Sequence, residues 1–127
     1  MTKTENESAD RWEAQIRKGC LELAILAGLW ENRLYGLDIL RVLEGDSNLG
    51  LAEGTLYLIL NRLKAEGLVD SEWVDAGSGH PRKYYVLTEV GKERLLEMTH
   101  FWNRFSANLN VLTGRVVGQK ELTNAQK

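Results

Sequence analysis

One cysteine and one proline in 127 residues remove two classes of protein at once. Cys20 cannot close an internal disulfide, and its place in an apolar stretch reads as a small buried hydrophobe rather than a reactive thiol. A lone proline beside 43% hydrophobic residues excludes a collagen-like or low-complexity chain and argues for a folded one, of a length that makes a single domain. Long apolar runs are also missing. The longest, residues 21–29, is interrupted by Glu22 and falls short of the ~20 residues that a membrane span takes. The N-terminal MTKTENESADRWEAQ mixes both charge signs without an apolar signal core, so a cytoplasmic location is expected rather than export.

Catalytic inventory is scarce in the same way. His80, His100 and Cys20 do not assemble a nucleophile–base pair or a metal cluster at a recognisable spacing, and no phosphate-cradling glycine motif occurs. Neither enzymatic activity nor a metal or cofactor is expected. An excess of basic charge is lacking too: the net charge is −2, which counts against a nucleic-acid partner because such affinity comes largely from neutralised phosphates. The distribution offsets the total. Residues 77–85 hold Arg82, Lys83 and titratable His80 without a carboxylate, whereas acidic residues gather near the N-terminus and around residues 70–75.

What the chain does have is a short helix followed at once by a hairpin with a basic tip. The segment AEGTLYLILNRLKAEG predicts a helix over 52–66 that stops at Gly67, with Leu56, Ile59, Leu60 and Leu63 on a packing face. Thr55, Leu58, Asn61, Arg62 and Ala65 fall on the opposite face, free for contact. LVDSEWV and RKYYVL predict two strands around the seven-residue tip DAGSGHP, the second with Tyr84 and Val86 on one side and Tyr85 and Leu87 on the other. This is the layout of a winged helix-turn-helix, which sets a helix in a DNA groove and the hairpin along phosphates. Two further helices precede it, one over 17–30 and one from Tyr35 to Gly45 with Leu37, Leu40 and Leu43 spaced by three, after a short arm helix over 10–16. Thr88 is a suitable N-cap for a last helix.

That last helix carries a heptad seam. Leu95, Met98, Trp102, Phe105, Leu109, Leu112 and Val116 alternate spacings of three and four, which predicts a partner helix in a homodimer. The division expected is an N-terminal arm at 1–17, a winged-helix domain at 18–88, a dimerisation helix at 89–118 and a flexible tail at 119–127. The fold class is therefore mainly α with a β-hairpin wing. Candidate DNA contacts are Thr55 and Tyr57 at the start of the reading helix, Asn61 and Arg62 on its contact face, Tyr35 before Gly36, and Arg82 and Lys83 in the wing. For Tyr57 and Tyr35, packing against the core is the equal alternative. A different class of function also fits the acidic balance: a winged-helix module that binds protein rather than specific DNA.

Leu34-Tyr35-Gly36, Glu53-Gly54-Thr55-Leu56-Tyr57, Leu63-Lys64-Ala65-Glu66-Gly67-Leu68-Val69 and the run from Pro81 to Thr88 with Gly91 resemble the PadR family of bacterial transcriptional regulators. The likeness covers residues 17–102. It implies a winged-helix dimer that binds an inverted-repeat operator, represses transcription and releases DNA when a small molecule binds. The short last helix with a central tryptophan is similar to the smaller branch of that family, which includes regulators of multidrug transporters. There, tryptophans of two partner helices sandwich planar drugs or phenolic compounds. Trp102 falls at the matching place, with Met98, Phe101, Phe105 and Trp12 as candidate walls of an effector site. Two residues depart from the family pattern. Ala52 stands where a hydroxyl or amide side chain is usual, removing an N-cap worth ~1 kcal/mol. Leu58 replaces a usual proline on the contact face, where it suits a thymine methyl or an altered target.

Overall fold

The computed structural model describes residues 3–45, 49–75, 77 and 79–125, with side chains from 8 to 118. It falls into two compact units, residues 1–95 and 96–127. The first helix, α1 (Lys3–Gly28), runs without a break, so the separate arm helix expected over 10–16 is corrected to one continuous element. The physical reason is the absence of a strong breaker. Gly19 costs only about 1 kcal/mol in a helix interior, while the surrounding Arg, Glu, Gln and Lys are good helix formers and Arg17 pairs with Glu13 one turn away.

The hairpin is one strand larger than predicted. Leu34–Tyr35 forms a short strand, β1, antiparallel to β3 (Arg82–Leu87), which in turn pairs with β2 (Val69–Val74) in the order β1-β3-β2. Tyr35 therefore lies opposite Tyr84 and is at the same time the extended N-cap of α2 (Gly36–Glu44). A two-residue strand has too few positions to show period-two alternation, which hides it from any reading of pattern. In α2 the buried residues are Gly36, Ile39 and Leu43, with Leu37 45% exposed. The spacing of three read from Leu37, Leu40 and Leu43 drifts around a helix of 3.6 residues per turn, so Leu37 at its start turns outward while Leu43 reaches the core.

The helix α3 (Glu53–Ala65) matches its prediction face by face. Leu56, Leu60 and Leu63 are fully buried, whereas Thr55, Leu58, Asn61, Arg62 and Ala65 are exposed. The leucines join Ile25, Leu26 and Leu29 of the α1 end and Ile39 and Leu43 of α2 in the core, closed on the sheet side by Val69, Tyr85 and Leu87. Val74 pairs with Arg82, so the tip spans residues 75–81 as expected; residues 76 and 78 lie outside the described ones.

The last helix, α4 (Glu89–Ala125), starts at Thr88, whose Oγ1 accepts the Gly91 N–H at 2.9 Å, the capping role expected of it. The same hydroxyl donates to the Gly67 carbonyl at 2.6 Å, tying the helix start to the end of α3. The helix continues through residues 119–125, where the sequence predicts a polar tail; residues 126 and 127 lie outside the described ones.

Candidate nucleic-acid interface

The hairpin register sets the wing's cations against aromatic rings. Arg82, at the strand end next to the tip, carries its guanidinium 4.8 Å from the Tyr35 ring centroid. Tyr35 in turn faces Tyr84 at 5.8 Å, and Arg33 covers the other tyrosine at 5.1 Å while pairing with Glu72. Lys83 sits 5.9 Å from the Trp73 ring and 5.8 Å from Tyr85, near the outer limit of such contacts. Each contact contributes only ~0.5–1 kcal/mol at an exposed site, below the rotamer entropy of about 1.5–2 kcal/mol of a long cationic side chain, so the rings bias where Arg82 and Lys83 lie without immobilising them.

Between the wing and α3 lies an open cleft of about 550 Å³ lined by Tyr35, Gly36, Leu37, Glu53, Tyr57, Asn61, Trp73, Arg82, Lys83 and Tyr85. Five of the seven residues singled out in the sequence thus share one site. Tyr57 is half-buried, and its hydroxyl packs so closely over Gly36 that a Cβ there would overlap it. Burial chiefly, and then the charge of Glu53 and a hydrogen bond to its carboxylate, raise the Tyr57 pKa above the usual tyrosine value. The Tyr57 hydroxyl thus lies against Glu53 and the backbone of Gly36, at the edge of the cleft.

Thr55 and Arg62 occupy a different cleft, of about 660 Å³ between α1 and α3, together with Leu58, Lys18 and Glu22. Arg62, expected to reach for bases or phosphates, is half-exposed and lies within ion-pair distance of Glu22 of α1 at 3.6 Å and Glu66 at 3.7 Å. The helix packing brings Glu22 within reach across elements, a proximity that a helix-face count on α3 alone does not contain.

Other carboxylates near the wing are similarly occupied. Glu72 meets Arg33, Asp75 accepts the Gly77 N–H at 3.0 Å, and Asp70 accepts the Ser71 N–H at 2.8 Å. The arrangement leaves Arg82 and Lys83 without a carboxylate partner among the described residues, despite the negative total charge. Trp73 and Glu53 are cleft residues that sequence reasoning missed. Trp73 had a usable signal: it is two and four residues beyond Ser71 and Val69, hence on the same face of β2.

In the second unit, Trp102, Phe105, Leu109, Leu112 and Val116 are all exposed along one helix, with Met98 half-buried. Phe101 and Phe105 stack at 5.5 Å and 14°, and Trp102 lies 6.4 Å from Phe105. Leu95 differs from the rest of the predicted seam. It is 4% exposed and belongs to the first unit's core, so the apolar seam open to a partner starts at Met98. Trp12, grouped by sequence with the effector residues, is an exposed residue of α1 in the first unit.

The profile of the transcriptional regulator PadR-like family matches residues 25–97. The chain belongs to this family. Its winged-helix fold recurs in a PadR family regulator from Eggerthella lenta, which is 30% identical, with a TM-score of 0.77 over 87% of this chain and 96% of that one. A PadR-like transcription factor from Bacteroides fragilis is 38% identical, with a TM-score of 0.65 and coverage of 80% and 98%. Bacillus subtilis PadR, solved in complex with operator DNA, is 27% identical with a TM-score of 0.57, covering 62% of this chain and 46% of its own. The matched PadR segment contains every wing and α3 candidate from Tyr35 to Lys83. It ends before Met98, so family membership by itself says nothing of the aromatic cluster on α4.

Proposed function

We propose that this PadR-family chain is a dimeric transcriptional repressor that binds an inverted-repeat operator and leaves it when a small planar aromatic molecule binds. The observation that carries the DNA-binding part is the cleft between α3 and the wing, where Asn61 stands beside two cations that lack carboxylate partners and lie over aromatic rings. In this reading α3 enters the major groove with Thr55, Leu58 and Asn61, and the wing follows the phosphates with Arg82 and Lys83, Tyr35 backing the arginine. The operator complex of the Bacillus subtilis relative supports it. A dimer through the exposed apolar seam of α4 would present two reading helices, whose half-sites lie about one DNA turn (~34 Å) apart. Trp102 with Phe101, Phe105 and Met98 offers aromatic faces of the kind a planar effector stacks on.

The test is selection of duplexes from a random-sequence library followed by titration of the selected pool and of arbitrary duplex at several salt concentrations. Arg82→Ala combined with Lys83→Ala is expected to weaken both and to flatten the salt dependence by about one unit of slope for each phosphate no longer neutralised. Parental affinity and slope in the double variant would remove the wing from the interface. A protein that retains no duplex in the selection would overturn the DNA-binding reading itself.

A further inference from the structure

Trp73 is 69% exposed, a large apolar surface left in water on the same strand that buries Val69. The hairpin register puts it opposite Lys83, one step from the tip, on the face of β2 that carries Val69 and Ser71. At this end of the strand the indole lines the cleft, together with Asn61 of α3. Among the described residues no acceptor takes its Nε1–H.

We propose that Trp73 is a DNA-contacting residue, with its indole N–H donated to a backbone phosphate and its ring laid against deoxyribose as one strand passes between α3 and the wing. The proposal rests on the DNA-binding reading above and adds a neutral contact to it. Three features make the position suit a sugar-phosphate strand better than an acidic or purely apolar partner. Lys83 beside the ring supplies positive potential where the phosphate would sit. The nearby Glu53 and Asp75 carboxylates make their contacts with Tyr57 and the Gly77 N–H, and neither accepts from the indole. A tryptophan also combines a flat apolar body with one donor, matching a strand that alternates an apolar sugar face with an anionic acceptor.

Trp73→Phe keeps an aromatic ring and removes the donor, which leaves the fold least disturbed; its thermal unfolding is compared with the parent as a check. Binding to arbitrary duplex and to the selected pool is expected to fall together by roughly tenfold, the scale of one hydrogen bond to a charged group. The salt slope should stay at the parental value because no cation is removed. The parent has four tryptophans, so DNA-induced quenching of fluorescence in the parent that shrinks in Trp73→Phe assigns the change to this indole. Unchanged affinity with undiminished quenching would overturn the contact. A fall in affinity accompanied by a slope lower by about one would also overturn it, because Trp73 would then act only by positioning Lys83. If the parent itself binds no duplex, the DNA-binding reading fails and this inference falls with it, an outcome distinguishable from failure at Trp73 alone.

Discussion

A methyl group at position 91 has no room. The Cβ built there collides with the carbonyl oxygen of Leu68, a backbone atom that cannot swing aside as a side-chain end would. The close approach is enforced by Thr88, whose N–H donates to the same Leu68 carbonyl at 3.1 Å while its hydroxyl joins Gly67 to Gly91. Gly91→Ala is therefore expected to destabilise the winged-helix unit by about 3 kcal/mol or more, read as a lower denaturant midpoint with unchanged slope. Gly19→Ala is the control. Its Cβ meets nothing within 4 Å in α1, so the same substitution there should stabilise by up to ~1 kcal/mol. Two glycines given equal weight by composition thus differ in sign, and only the approach of the α3–β2 corner to the start of α4 separates them.

Among the elements, α3 and α4 make opposite use of amphipathicity. Leu56, Leu60 and Leu63 of α3 are covered by its own unit, whereas Leu109 and Leu112 of α4 remain exposed at 44% and 56%. Apolar surface repeated at heptad spacing along an exposed helix favours a second helix laid against it. Leu109→Glu with Leu112→Glu should set like charges against each other across the proposed dimer, a cost of several kcal/mol. Sedimentation is expected to show monomers with the winged-helix unit still folded by circular dichroism and melting. A double variant that stays dimeric at micromolar concentration would move the interface off this seam.

For the molecule as a whole, the negative net charge and a DNA-binding role are reconciled by sorting rather than by amount. Near the wing Glu72 pairs with Arg33, and Arg82 and Lys83 have no carboxylate partner among the described residues. If a flat aromatic effector stacks between copies of Trp102, its binding must favour a spacing of the reading helices that mismatches the operator, since a ligand shifts only an equilibrium between states it binds unequally. Titration with planar dyes should quench tryptophan fluorescence in the parent. In Trp102→Leu, which keeps the seam apolar, dye binding should disappear with dimer and DNA affinity retained. Undiminished dye binding in that variant would put the effector elsewhere.

The helix-and-hairpin layout and the inward face of α3 were legible in the amino-acid order, because a period of 3.6 or 2 in apolar residues is a local property of the chain. On β3 spacing put Tyr85 and Leu87 on one side without saying which side is buried, while Leu56, Leu60 and Leu63 inside and Thr55, Leu58 and Asn61 outside follow from it. So does the cap at Thr88, since its hydroxyl accepts from a backbone N–H only three residues ahead. What the outward residues meet was settled by packing between elements. Arg62 meets Glu22, forty residues earlier in the chain, and the Tyr57 hydroxyl lies over the bare backbone of Gly36. Tyr35 becomes the seat of Arg82 because a strand too short to show a pattern pairs with β3. Local periodicity fixes an element's faces; the partners of a charged or aromatic side chain depend on which distant residues the packed elements bring within a few ångströms, and no spacing along one helix encodes that.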